Sequence, residues 1–109
     1  MAHYEIEQRE DGVVLRFPEY VDELRTQADD DEAFNLVDEH ERIVIELSNS
    51  IEVVSRWLKL FHRMAIRAKS AGKQVFLVGA SESIRESADF LALNDCWETA
   101  ETSEEALAR

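Results

Sequence analysis

Two short, nearly continuous apolar runs stand out along the chain, namely RIVIEL at 42–47 and QVFLVG at 74–79. Strands that are buried on both faces of a sheet have this pattern, whereas half-buried strands alternate apolar and polar residues. Between the two runs, residues 56–73 place apolar side chains at the spacing of an amphipathic helix, and Gly72 is positioned to end it. The sequence therefore predicts a right-handed βαβ unit in which the two runs are adjacent parallel strands.

The amino-terminal part predicts a hairpin and then a helix. Strand-forming residues at His3–Arg9 and Val13–Phe17 flank Asp11–Gly12, a dipeptide that favours a tight turn. Residues 20–41 are typical of a helix that carries acids on its polar face. The acidic run Asp29–Glu32 is expected to mark the helix start, because the helix dipole stabilises negative charge near its amino end.

The carboxyl-terminal part predicts two more helices with an edge strand between them. Residues 81–93 begin with a serine cap and continue as an amphipathic helix. The short run DCWETA at 95–100 is expected to add an edge strand, and Thr102 and Glu105 have the spacing of a capping box. The whole order predicts a single α/β domain over residues 1–109, with a mixed sheet of four to five strands and about four helices packed on it.

Charge and composition exclude several classes of protein. The 109 residues include 24 acidic and 12 basic ones, a formal net charge of −12, which opposes non-specific binding to nucleic acid or anionic membranes. No apolar run approaches the roughly 18 residues of a membrane span, and the polar first residues do not resemble a signal peptide. The one cysteine, Cys96, fits a reducing compartment, so a cytoplasmic location is expected. We expect it to pack as a small hydrophobe, because Asp95 and Glu98 are the reverse of a basic, activating neighbourhood.

No motif for catalysis, cofactor binding or metal binding is present in the sequence. Three glycines cannot make a glycine-rich phosphate loop. His3, His40 and His62 fall on separate predicted elements, and no cysteine–histidine spacing indicates zinc. Ser55 and His62 would lie about 10 Å apart along one helix, too far for a nucleophile and its base. The sequence therefore predicts no catalytic residue, metal site or cofactor, and a protein that is not an enzyme.

The predicted helix at 56–73 concentrates positive charge. Six of the 12 basic residues lie there with no acid among them: Arg56, Lys59, Arg63, Arg67, Lys69 and Lys73. On a helical wheel Ser55, Lys59, His62 and Ile66 form one outward stripe. Two interpretations remain open: the basic face balances the acidic helix, or it docks an acidic partner surface through interactions that salt would weaken.

The order of elements and the spacing around Ser55 resemble the STAS domain family, the fold of bacterial anti-sigma-factor antagonists and of regulatory segments of sulfate transporters. The family's strand of the type hhhDLSxVxxhDS is similar to RIVIELSNSIEVVS, with Glu46 in place of the first aspartate. Its helix end, next strand, following helix start and final strand are similar to RAKSAGKQVFLVGASESIRESADFLALNDCW, and its ending to SEEALA. The resemblance covers nearly the whole chain and is best over 42–109.

The resemblance implies a regulatory function. In that family the serine at this position is phosphorylated by a partner kinase that doubles as an anti-sigma factor, and this helix touches the partner. Here the family pattern Asp-Ser-Ser/Thr-Gly-Leu is replaced by Val54-Ser55-Arg56-Trp57-Leu58, and the family's Gly-Glu-Leu-Asp survives only in part, ending at Asp22. The partner-binding residues that the resemblance and the wheel together predict are Asp22, Ser55, Arg56, Lys59, His62, Arg63 and Ile66.

Two interpretations of Ser55 follow, a plain helix N-cap or a regulated phosphoserine. The first functional hypothesis is a non-enzymatic module that binds a regulatory protein, as an anti-sigma-factor antagonist does. The alternative is a phosphorylation-independent STAS subunit that serves as a scaffold or accessory of a transporter or sensor complex. The wheel also predicts that Trp57 points into the core. The sequence leaves the identity of the partner and the oligomeric state open.

Overall fold

Seven strands and four helices make up residues 3–109, the part of the chain that the computed structural model describes. The strands are β1 (Glu5–Arg9), β2 (Gly12–Arg16), β3 (Tyr20–Val21), β4 (Arg42–Glu46), β5 (Glu52–Val53), β6 (Gln74–Val78) and β7 (Glu98–Ala100). The helices are α1 (Gln27–Glu39), α2 (Ser55–Ser70), α3 (Glu82–Phe90) and α4 (Ser103–Ala108).

Five of the strands form one mixed sheet in the order β1-β2-β4-β6-β7. β1 runs antiparallel to β2, and every other neighbouring pair is parallel. The predicted hairpin, the central parallel pair and the edge strand are therefore confirmed. The predicted turn is wrong by one residue, because Gly12 already pairs with Arg9 and the turn is Glu10–Asp11. Gly12 serves close packing instead, since a Cβ there would lie 2.5 Å from the Arg42 carbonyl oxygen.

Both faces of the central strands are buried, which explains their continuous apolar runs. One face packs under α1, α2 and α3 in a large core centred on the fully buried Trp57 and Phe61. The opposite face carries a smaller cluster in which α4 covers β2, β4 and β6. The members of this second cluster are Val14, Val44, Phe76, Val78, Ala106 and Leu107.

Local hydrogen bonds determine where the helices begin and end. α1 starts two residues before the predicted Asp29, because Thr26 forms a reciprocal capping box with it: the Asp29 amide donates to Thr26 Oγ1 at 3.2 Å, and the Thr26 amide donates to Asp29 Oδ2 at 2.8 Å. Ser81 caps α3 as predicted. Gly72 follows the last turn of α2 with φ +73°, the left-handed conformation in which glycine commonly ends a helix.

A second, two-stranded parallel sheet was not predicted. β3 pairs with β5, and the Val54 amide then donates to the Val21 carbonyl oxygen at 3.0 Å. Each of these strands has only two residues, too few for a hydrophobic period to be visible in the sequence. This small sheet leads directly into α2 and so positions its amino end.

Candidate protein-docking site

Ser55 is the first helical residue of α2, and its side chain is exposed. The N-cap position belongs to Val54, whose extended backbone has φ −72° and ψ 158°, and no side chain among residues 3–109 caps this helix end. The interpretation of Ser55 as a plain N-cap is therefore wrong. The unpredicted pairing of β3 with β5 holds Val54 extended, and the helix begins at Ser55, one residue earlier than a Ser55 cap would require.

The amino end of α2 is electropositive. Its hydrogen-bond ladder begins with the amides of Trp57 and Leu58, which donate to the Val54 carbonyl oxygen at 3.0 and 3.2 Å. The first turn contains no acid, while Arg56 and Lys59 lie in or next to it. In the described part of the chain, the partial positive charge of this helix end thus meets neither a side-chain cap nor an acid of the first turn, and a phosphate on Ser55 would meet a favourable potential.

Residues 22–25, which we call the strap, lie against the first turn of α2. Arg56 donates from Nη2 to the Asp22 carbonyl oxygen at 2.6 Å and from Nε to the Glu23 carbonyl oxygen at 3.3 Å. Trp57 Nε1 also donates to the Glu23 carbonyl oxygen, at 2.8 Å, and Arg25 donates back to the Arg56 carbonyl oxygen. Two of the three residues that depart from the family pattern, Arg56 and Trp57, therefore hold the strap in place. These bonds bring the backbone of Asp22, distant in sequence, next to Arg56 at the first turn of α2.

Trp57 has no exposed surface, which confirms the prediction that it points inward. Its ring packs edge-on against Phe17 at 5.8 Å between centroids and at 6.4 Å from Tyr4 and Phe61. Offset and edge-on aromatic pairs add to the hydrophobic gain of burial. The tryptophan is therefore an anchor of the core that keeps one polar edge on the strap.

Three of the four residues of the predicted outward stripe are exposed, and the fourth, His62, is not. Ser55 and Lys59 are exposed, and Ile66 keeps 45% of its surface accessible. His62 is half-buried and donates from Nδ1 to the Leu93 carbonyl oxygen at 3.1 Å. Its imidazole therefore faces the segment after α3, and the accessible stripe consists of Ser55, Lys59 and Ile66.

Three of the six basic residues in 56–73 direct their side chains toward α1. The Arg63 guanidinium lies 5.2 Å from the centre of the Phe34 ring, and Arg67 makes a bidentate ion pair with Asp38. Lys73 Nζ donates to the Asp38 carbonyl oxygen at 2.6 Å, near the negative end of α1. The hydrogen bond from Arg67 lowers the pKa of the Asp38 carboxyl group below its ordinary value. These contacts support charge balance between the helices for part of the basic face.

Lys59 and Lys69 differ from those cations. Neither makes an ion pair with any acid in residues 3–109. The charge of Lys59 is therefore directed outward without an ion-pair partner in these residues, and Ile66 adds an exposed apolar side chain to the same face. Charge balance thus accounts for Arg63, Arg67 and Lys73, and the docking interpretation stays open for Lys59 and Lys69.

Three exposed apolar side chains near the amino end of α2 were not predicted from the sequence. Tyr20 in β3 is 52% exposed, Leu24 in the strap is 76% exposed, and Ile51 just before β5 is 56% exposed. They lie on the segments that adjoin the amino end of α2, and we call them the apolar rim. A signal existed in the sequence for Leu24, a large hydrophobe in the otherwise polar stretch 22–27, whereas Tyr20 and Ile51 stand close to other apolar residues.

The pKa of the Cys96 thiol bears on whether this residue could act as a nucleophile. Burial, with the Asp95 carboxylate, raises the pKa of the Cys96 thiol, which disfavours the thiolate that a nucleophile needs.

Within residues 3–109, no helix combines the length and the apolar character that a membrane crossing requires.

Comparison with known proteins identifies the fold through structure alone. No family model and no curated protein matches the sequence. The unphosphorylated form of SpoIIAA, an anti-sigma factor antagonist of Bacillus, superposes with a TM-score of 0.80 at 17% identity, covering 97% of this chain and 94% of that one. An anti-sigma-factor antagonist (STAS) domain protein from Planctomyces limnophilus gives 0.77 at 18% identity, with 98% and 97% covered. An anti-sigma factor antagonist from Mycobacterium paratuberculosis gives 0.78 at 18%, with 96% and 90% covered.

The chain therefore has the STAS fold, with the five-stranded mixed sheet and four helices described above. This confirms the fold that the sequence resemblance predicts. At 17–18% identity the likeness establishes the arrangement of the backbone.

Proposed function

We propose that this domain is a non-enzymatic signalling module that acts as an anti-sigma-factor antagonist in the cytoplasm. Its partner is a regulatory protein, an anti-sigma factor that is also a serine kinase. The STAS fold and the description of its structural neighbours as anti-sigma factor antagonists support the proposal. The observation that carries it is Ser55, an exposed hydroxyl at the uncapped, acid-free amino end of α2.

The proposed docking surface combines charge with apolar contact. Ser55, Lys59 and Ile66 supply the stripe along α2, and the apolar rim supplies side chains that a partner can cover. An acidic partner surface fits the free charge of Lys59, and salt would slow its association. The other predicted partner-binding residues act beside this surface by holding neighbouring segments: Asp22, Arg56, His62 and Arg63.

Phosphorylation of Ser55 is proposed as the switch. Phosphate adds up to about two negative charges at physiological pH. The helix end tolerates that charge, while an acidic partner surface is repelled by it. SpoIIAA has been solved in both an unphosphorylated and a phosphorylated form, and both resemble this chain, with TM-scores of 0.80 and 0.68. This resemblance supports the same kind of regulation here.

The test has two stages. Affinity capture from the native host, followed by mass spectrometry, identifies the partner, and calorimetric titration then compares variants. Ser55→Asp should weaken binding at least tenfold, about 1.4 kcal/mol, and Ser55→Ala should leave it nearly unchanged. Ser70→Asp, at the exposed far end of the same helix, is the matched control for added charge. Equal binding by both Ser55 variants, with no phosphoserine in protein isolated from its host, would contradict the switch.

A second candidate function is favoured by a specific observation. Val54, Arg56 and Trp57 replace the family's motif residues, and the latter two hold the strap. A domain whose motif positions are used in this way fits a phosphorylation-independent STAS subunit, a scaffold or accessory of a transporter or sensor complex. Capture of a membrane transporter or a large sensor assembly, with binding insensitive to Ser55→Asp, would support this alternative over the first.

A further inference from the structure

Three side chains with metal-binding atoms come together between α2 and residues 91–97, the segment that joins α3 to β7. His62 belongs to α2, while Asp95 and Cys96 belong to the joining segment. One ring nitrogen, one carboxylate oxygen and Cys96 Sγ all lie within 4.8 Å of one another. In residues 3–109 this is the one group of three or more potential ligands that lie so close.

The imidazole of His62 is already oriented toward this group. Its Nδ1 atom lies 4.0 Å from Asp95 Oδ1 and 3.1 Å from the Leu93 carbonyl oxygen. The Trp97 ring packs nearly perpendicular to the imidazole, with 6.3 Å between the centroids. The Trp97 contact limits rotation of the ring, while the hydrogen bond to Leu93 would be given up if Nδ1 became the ligand atom. A cation among the three atoms would take the place of the Nδ1 proton that now points at Leu93.

The ligand types determine the kind of cation. A nitrogen, a carboxylate oxygen and a thiol that releases its proton when the metal binds are a set that zinc accepts, whereas magnesium and calcium prefer oxygen ligands alone. Tetrahedral zinc would separate the ligand atoms by about 3.5 Å, so the group has to close by about 1 Å. Residues 91–97 contain neither helix nor strand, but Leu91, Ala92 and Leu93 donate backbone hydrogen bonds to the end of α3, so the shift has to come from Asp95 and Cys96.

We propose that His62, Asp95 and Cys96 form a binding site for a divalent transition metal, with zinc as the best match. Three protein ligands leave a fourth position for water or for a ligand from another molecule. The bound metal would clip the joining segment to α2, one turn before the exposed Ile66. The site does not depend on the proposed function, because it can be measured without a partner.

Cobalt is the probe for the test, because it occupies zinc sites and reports its ligands spectroscopically. The metal-free domain, prepared with a chelator, is titrated with Co²⁺ and then with Zn²⁺. We expect tetrahedral visible bands and a sulfur-to-cobalt charge-transfer band that saturate at one equivalent and disappear when zinc is added. Cys96→Ser should abolish the charge-transfer band, and His62→Gln or Asp95→Asn should weaken cobalt binding at least tenfold.

His40→Gln is the matched control. His40 lies at the carboxyl end of α1, where its Nδ1 atom donates a hydrogen bond to the Leu36 carbonyl oxygen, and it is not part of the proposed site. This substitution should leave the cobalt titration unchanged. Zinc should also raise the melting temperature of the wild type and leave that of Cys96→Ser unchanged, since only the folded site binds metal. Circular dichroism checks that each variant is folded. A titration without saturation at one equivalent, an octahedral spectrum without the sulfur band, or equal binding by wild type and His62→Gln would overturn the proposal.

Discussion

Arg67 on α2 holds Asp38 on α1 in a bidentate ion pair, with its Nε and Nη2 atoms each 2.8 Å from a different carboxylate oxygen. About half of each side chain remains accessible to solvent, 49% for Arg67 and 50% for Asp38. Exposed pairs contribute little to stability, and salt screens them. The pair instead shows where part of the basic face of α2 is directed, toward the acidic helix of the same domain.

Asp38→Asn should make the stability of the domain less sensitive to acid. The folded state lowers the pKa of Asp38 below its ordinary 3.8, so the pair stabilises the fold above that value. This contribution is lost as the pH falls through 3.8 and the lower folded pKa. The gap between wild type and Asp38→Asn in urea unfolding should therefore shrink over that range. Glu39→Gln on the same helix is the control, and an identical shrinkage there would contradict the assignment.

Trp57→Ala should cost about 3–5 kcal/mol of unfolding free energy, because it empties a fully buried aromatic site. Phe90, which is 89% exposed, provides the contrast, and Phe90→Ala should change stability by less than about 0.5 kcal/mol. Urea titration of both variants, followed by circular dichroism, measures the difference. A small effect of Trp57→Ala would mean that the aromatic cluster does not anchor this core.

Ser55→Asp should stabilise the isolated domain by about 0.3–1 kcal/mol, since it adds an acid to the uncapped positive end of α2. Ser70→Asp places the same charge at the opposite end of the same helix, where the dipole is unfavourable. Both positions have basic neighbours, so the difference between the two variants reports the helix end. Thermal unfolding at low ionic strength measures it, and a larger gain for Ser70→Asp would show that the end of α2 is not electropositive.

Arg56→Gln should loosen the strap, because it removes the guanidinium donors to the Asp22 and Glu23 carbonyl oxygens. Trypsin offers a direct readout, since Arg25 lies in the strap and is a cleavage point. Loss of about 1 kcal/mol of local stability should speed cleavage after Arg25 about fivefold. Lys59→Gln, which removes an exposed cation one turn away, should leave this rate unchanged. Equal rates in wild type and Arg56→Gln would show that the strap is held by other contacts.

Much of the fold was predictable because its signals are local. The runs at 42–47 and 74–79 indicated strands buried on both faces, and the apolar spacing after Ser55 indicated the helix between them. Ser81 and Gly72 marked a helix start and a helix end through hydrogen bonds that span only a few residues. Short elements without such a signal, β3 and β5 above all, were missed.

The candidate site was predictable only in part. The sequence placed Ser55, Lys59 and Ile66 on one outward face, because that face depends on helix geometry alone. It could not indicate that His62 turns to the Leu93 carbonyl oxygen or that Arg63 lies over Phe34. Those directions depend on segments that are distant in the chain.

The sequence by itself determined the four helices, the five strands of the main sheet, the inward position of Trp57 and the charge pattern of α2, since each follows from the period of neighbouring residues. Tertiary structure decided which cations face α1, how Arg56 holds the strap, and that His62 meets Asp95 and Cys96. The physical reason is that packing brings together side chains from elements far apart in sequence. No local spacing records such a meeting, and only the assembled core sets the distances between them.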